Sequence, residues 1–181
     1  MVVNYTPSFS TAKSPIINIS NLSKFITIDD TQLKLSDSIP KFNPNKKLVV
    51  ISFLGKAKIG KSTLMNCFVS HLKMFNSKIF NTSRSAKSHC TLGIDILTIE
   101  TDTKTIVLLD KLGMDFQDSK NDCKLIVFVF MISNIIIYNE KGILTNSVLS
   151  SFQALTCLVT HIKDNHDKPM LIFRSIDIDS E

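Results

Sequence analysis

Gly55, Gly60, Lys61 and Ser62 stand in the spacing G-x-x-x-x-G-K-S, inside the stretch LVVISFLGKAKIGKSTLMN that runs from Leu48 to Asn66. Glycines at these two positions let a backbone curl closely around an anion, so that successive N–H groups point at a phosphate chain. Lys61 would reach the β- and γ-phosphates, and the Ser62 hydroxyl would hold Mg²⁺. A following helix would add the partial positive charge of its N-terminus. The chemistry predicted is therefore polyphosphate binding.

Three further residues extend this to a phosphate sensor. Thr91 offers a hydroxyl and a carbonyl to Mg²⁺ and the γ-phosphate. Asp110, at the end of the run TIVLLD, can hold a water of the metal. Gly113, three residues on, can touch the γ-phosphate through its N–H. Two loops of this kind order only when the terminal phosphate is present.

The elements that must position these groups are legible as patterns. Leu48 to Leu54 is a short apolar run of strand length. Ser62 to Phe75 carries Leu64, Met65, Phe68, Leu72 and Phe75 at helical spacing. IDILTIE and TIVLLD, separated by Thr101 to Lys104, predict a β-hairpin and hence an antiparallel pair. LIVFVFMISNIIIYN, from Leu125, reads as one central strand buried on both faces. An amphipathic helix is expected from Thr145 to Ile162, and KPMLIFRSIDID as a last strand. Ahead of the loop, SPIINISNLSKFITI suggests a small strand pair, and residues 1–14 read as a flexible leader. NSKIFNTSRSAKSHCTLG is long for a connection, which marks it as a functional loop.

Composition narrows the class. With 181 residues, 44% hydrophobic and 20% charged, the chain has the length of one domain with a buried core. The net charge of +5 comes from an excess of lysine without a basic run interleaved with aromatics, so nucleic acid is not the expected partner. The four cysteines, Cys67, Cys90, Cys123 and Cys157, lie far apart, suggesting neither a zinc site nor a disulfide framework and favouring a reducing, cytoplasmic setting. No secretory signal opens the chain, and the apolar run at Leu125 is too short and too interrupted to span a membrane.

On these residues the chain resembles the guanylate-binding protein and atlastin branch of dynamin-like GTPases, from about Pro15 onward. GKAKIGKSTLMN echoes that family's G-x-x-R-x-G-K-S loop and the L-M-N after it. SHCTLGI resembles S-H-T-x-G-I of the first switch, LLDKLG the L-L-D-T-E-G of the second, and IIIYNEKG the strand ending in Y-N before a glycine. FRS stands where the family has an Arg-Asp pair on the base-binding strand.

The resemblance implies an α/β, P-loop G-domain fold: a mostly parallel sheet with helices on both faces and one antiparallel hairpin strand. It implies a domain over residues 15–181, shortened at its C-terminal end. GTP or GDP would be bound by Gly55, Lys58, Ile59, Gly60, Lys61, Ser62, Thr63, Asp110, Gly113 and Arg174. Mg²⁺ would be held by Ser62, Thr91 and Asp110, with Lys58, Ser88 and Thr91 serving hydrolysis. A homodimer driven by nucleotide is implied as well.

The departures point to a second reading. Lys58 replaces the family's loop arginine and loses its planar fork. Leu112 replaces the switch glutamate, and Cys90 is an extra residue beside Ser88. Ser175 replaces the guanine-reading carboxylate, with Asp177 two residues on. These favour a degenerate interaction module with weak turnover, or an ATP-using P-loop protein. SKND at Ser119–Asp122 mimics a guanine motif but lies on the wrong loop. Arg84 and His89 read as exposed loop residues, His161 and His166 as unpaired for metal, and Cys67 as a small buried apolar group. Phe68, Met74, Phe128, Phe130, Met131 and Phe152 read as core.

Overall fold

A computed structural model gives the architecture. It describes residues 17–29, 32–37, 39–56, 58–73, 79–80, 93–111, 120–162 and 168–176. Among these described residues eight strands, β1 (Asn18–Ile19), β2 (Ser23–Asp29), β3 (Gln32–Leu35), β4 (Lys47–Gly55), β5 (Ile94–Glu100), β6 (Lys104–Lys111), β7 (Ile135–Lys141) and β8 (Met170–Ile176), form one sheet. The helices α1 (Lys61–Lys73), α2 (Lys120–Ile132) and α3 (Asn146–Ile162) cover it. The strand order is β3-β2-β5-β6-β4-β7-β8, with β1 also paired to β5.

β4 is parallel to both β6 and β7, and β7 is parallel to β8. β5 runs against β6, and β1 and β2 run against β5. Six described strands therefore share a direction, and β3 and β5 oppose it. The mostly parallel sheet and the β5–β6 hairpin are as the sequence implies. β3, a second counter-running strand, is an addition to that reading. Thr101 closes the hairpin: its N–H and its hydroxyl both donate to the Lys104 carbonyl, at 2.9 and 3.0 Å.

Alternation along the strands sends side chains to two cores. Val50 and Leu54 of β4, Val107 and Leu109 of β6, and Ile136 and Tyr138 of β7 pack with Leu125, Val129 and Phe130 of α2 and Val148 and Phe152 of α3. Ile51 and Phe53, Leu108, Leu97 and Ile99 pack on the other face with Met65 and Val69 of α1. Helices thus cover both faces. Phe152 anchors α3 through edge contacts to Tyr138 (4.9 Å between centroids) and Phe173 (5.2 Å), each worth about 0.5–1.5 kcal/mol beyond burial.

The structure corrects the reading of LIVFVFMISNIIIYN. It is two elements, the end of α2 and then β7. Parallel strands such as β6 and β7 need a crossover, and α2 supplies it. The Ser133–Asn134 interruption is the boundary. Ser133 donates its hydroxyl to the Val129 carbonyl (2.6 Å) at the helix end. Asn134 starts the strand: its N–H donates to the Val50 carbonyl (2.9 Å) and its Oδ1 accepts from the Val50 N–H (2.8 Å).

The expected pair within SPIINISNLSKFITI is also corrected. β1 and β2 pair with the same edge of β5, not with each other. Ser20 bridges the break between them, donating its N–H to the Thr98 carbonyl and accepting the Thr98 N–H on its Oγ. Cys67 is exposed, not buried, because it lies two positions from the Met65–Val69 face of α1. Phe130 and Phe152 are core as expected, whereas Phe68, Phe128 and Met131 are half-buried at its margin. The leader and Met74 lie outside the described residues.

Candidate functional site: the carboxyl ends of β4, β6 and β7

β4 leaves through α1 toward β5 and β6, while β7 leaves through α3 toward β8. The two chains depart in opposite directions, so the ends of β4 and β7 frame a crevice at the topological switch point, where open α/β sheets take their ligands. The Gly-rich loop begins there. Gly55 is in register with Asn139 and has φ +131°, and a Cβ at Gly55 would land on the Asn139 carbonyl oxygen. Only glycine fits.

Gly60 opens α1: its carbonyl accepts the first helical bond, from the Leu64 N–H at 2.9 Å. The N–H groups of Lys61, Ser62 and Thr63 precede that bond and belong to the first turn, whose donors a helix leaves to caps or ligands. No acidic residue occupies this first turn to compete with an anion. Between the glycines, Lys58 is exposed and sits in the left-handed region at φ 63°, while Ile59 is half-buried.

Lys61 is buried (6% exposed) and donates from Nζ to the Lys56 carbonyl at 2.7 Å, which holds its cation over the loop. The Ser62 hydroxyl donates to Asp110 Oδ2 at 2.8 Å. β6 delivers Asp110 there because it lies parallel to β4, with Phe53 opposite Asp110. Burial pushes the Asp110 carboxyl up to about 6; the Ser62 hydrogen bond and the Lys61 charge oppose that, and Asp95 adds to it.

The structure thus brings the start of α1 and Asp110 together. Arg174 lies on β8, in register with Asn139, two strands from Gly55, and is exposed. Ser175 faces the opposite side of the sheet and donates its hydroxyl to the Gly142 carbonyl, which ties it down near Tyr138, Glu140 and Phe173. Ser88, Thr91, Gly113, Arg84, His89, Cys90, Leu112, Asp177 and His166 lie outside the described residues. Of the SKND decoy, Lys120 to Asp122 form the first turn of α2. His161 is exposed, its Nδ1 2.8 Å from the Cys157 carbonyl oxygen of its own helix.

Sequence reasoning missed a row of charge beside Asp110. The hairpin register places Asp95 opposite Asp110 and Lys24 opposite Asp95, and Lys24 Nζ is 2.6 Å from Asp95 Oδ1. Counting back from the Thr101–Lys104 turn would have found Asp95. The role of Asn66 was also missed. Its Oδ1 accepts the N–H groups of Ile79 and Phe80, and its Nδ2 donates to the Phe80 carbonyl, pinning that segment to α1. Glu140, paired at 3.6 Å with Lys56 and accepting the Tyr138 hydroxyl, braces the loop from β7.

Among the described residues no three His, Cys, Asp or Glu side chains converge, so protein ligands alone do not close a metal site. Ser62 and Asp110 nevertheless present two hard oxygens side by side, 2.8 Å apart, of the type that Mg²⁺ takes directly or through its waters. The donor set fits that cation. No helix among the described residues is long and apolar enough to cross a membrane.

Comparison with individually characterised proteins gives no significant match. A family model does match: guanylate-binding protein, N-terminal domain, over residues 26–170, from β2 to the first residue of β8. That span holds the glycine loop, α1, the hairpin, Asp110 and the β4–β7 crevice, and it covers well over half of the 181 residues. The chain therefore belongs to the guanylate-binding protein family, as a GTPase-like nucleotide-binding domain.

Proposed function

We propose that the chain binds GTP with Mg²⁺ at the carboxyl ends of β4, β6 and β7 and hydrolyses the γ-phosphate. The observation that carries this reading is the Ser62–Asp110 hydrogen bond of 2.8 Å beside a buried Lys61, which assembles cation, hydroxyl and carboxylate at the start of α1. The loop N–H groups from Gly55 to Thr63 would hold the β-phosphate, and Lys61 would neutralise β- and γ-oxygens. Ser62, Thr91 and Asp110 would hold Mg²⁺, Asp110 through water. When bound, that ion supplies charge neutralisation across the β- and γ-phosphates. Ser88 and Thr91 would orient the attacking water, Lys58 would stand in for the family's arginine, and Gly113 would sense the γ-phosphate. Arg174 would lie along the base. The domain comprises residues 15–181, works in the cytoplasm and pairs with a second copy when loaded.

One observation favours a second reading, in which phosphates dominate binding and turnover is weak. Ser175, at the base-reading position, is tied to Gly142 and faces away from Arg174. Guanine then has no carboxylate partner from that residue, and ATP competes. Phosphate release by the purified chain, with GTP and ATP titrated against each other, tests both readings. Turnover with GTP preferred by more than tenfold supports the GTPase; binding without release, at a preference below about tenfold (1.4 kcal/mol), supports the module.

A further inference from the structure

Among the described residues, the buried side-chain polar atoms left without a partner are both on one residue: Oδ1 and Nδ2 of Asn139, which is 0% exposed. The protein satisfies its other buried polar side chains with care. Ser52 and Ser133 bond each other, Asn66 makes three hydrogen bonds, Thr105 donates to Glu100, and Asp110 accepts from Ser62. A buried carboxamide with neither its acceptor nor its donors used opposes folding. Ile135 and Ile137, on the same face of the same strand, show that apolar side chains are accepted there.

Its place in the fold says what the amide is for. Asn139 is the β7 residue in register with Gly55, where the phosphate loop begins, and on its other side it is in register with Arg174 of β8. It therefore sits in the crevice of the switch point. Alternation along β7 puts its side chain on the α1 side, the side on which the loop turns into its helix. The backbones of Gly55 and Asn139 are too close for a Cβ between them, so their relative position is locked.

We propose that Asn139 is a positioning residue of the nucleotide site, whose carboxamide gains its partners when the phosphate loop closes on a bound nucleoside triphosphate. A carboxamide suits this task because it accepts from a loop N–H and donates to a loop carbonyl at once, correcting both backbone polarities. Binding energy then offsets a defect stored in the empty fold, which links loop closure to occupancy. The inference rests on the nucleotide reading given above.

The test is Asn139→Leu, measured two ways: melting temperature without nucleotide, and the affinity of a fluorescent GTP analogue with Mg²⁺. The expected result has opposite signs. The empty variant melts at or above the wild-type temperature, and its affinity falls at least tenfold. A residue that only supports the fold would lower the melting temperature and leave affinity within twofold, which overturns the inference while the nucleotide reading stands. A wild-type chain that binds no analogue overturns both. If the leucine variant does not fold, the side-chain amide resonance of Asn139 in the isotope-labelled wild type decides. Movement on adding the GTP analogue and Mg²⁺ supports the role, and an unmoved resonance in a chain that binds the analogue overturns it.

Discussion

Ser62 and Asp110, forty-eight residues apart in the chain, meet across a hydrogen bond of 2.8 Å because β6 lies parallel to β4 with Phe53 opposite Asp110. The bond joins the start of α1 to the end of β6, and it keeps a carboxylate buried beside a buried lysine. Burial holds that carboxylate at a cost, which a bound cation would offset.

The cost is measurable through pH. The Asp110 carboxyl is raised to about 6, above its ordinary range near 4, so its contribution to stability is full at acid pH and is lost as pH rises through about 6. Between about pH 4.5 and about pH 7.5 the wild type should lose about 2 kcal/mol that Asp110→Asn does not lose. Denaturant unfolding at the two pH values checks this; parallel profiles would contradict it. Binding has the opposite dependence. A cation needs the ionised carboxylate, so Mg²⁺-dependent nucleotide affinity should weaken below about pH 6.

The glycines of the loop predict a contrast. Gly55→Ala places a Cβ on the Asn139 carbonyl at a φ of +131°, so a cost above about 3 kcal/mol, or failure to fold, is expected. Gly60→Ala has open space and a φ of +77°, so its cost is only the left-handed backbone, about 1–2 kcal/mol. Comparable melting temperatures for the two variants would refute the packing of β4 against β7.

Lys58 predicts a gain. Its exposed left-handed position leaves room for a longer cation, and arginine restores the planar fork that grips two oxygens. Well-placed arginines in such sites contribute about 10³–10⁵ in rate. Lys58→Arg should therefore raise GTP turnover at least tenfold with little change in affinity. Single-turnover phosphate release measures it, and an unchanged rate would mean that transition-state charge is met from another residue.

Much of this was legible because it is local. Spacing alone revealed the loop, α1 and the hairpin, since Gly55, Gly60 and the Leu64–Leu72 periodicity each act within one element. The break at Ser133–Asn134 was misread because an apolar run has no period to separate α2 from β7. Only the need for a crossover between parallel strands does so. Cys67 was misread for a related reason: the helical face is set by what α1 packs against. Asp95, Lys24 and the orphaned amide of Asn139 are consequences of register between strands, which a one-dimensional pattern carries only where a turn fixes it. Ser175 showed its identity in the sequence but not its tether to Gly142.

The most direct test of the account is the affinity of the purified chain for GTP with Mg²⁺, compared between wild type and Lys61→Ala. Lys61 is buried over the loop on the Lys56 carbonyl, so its removal takes the main cation from the phosphate site while leaving both glycines in place. The account predicts saturable binding by the wild type and loss of at least a hundredfold in the variant. Equal affinity in the two proteins, or no binding by a folded wild type, would contradict it.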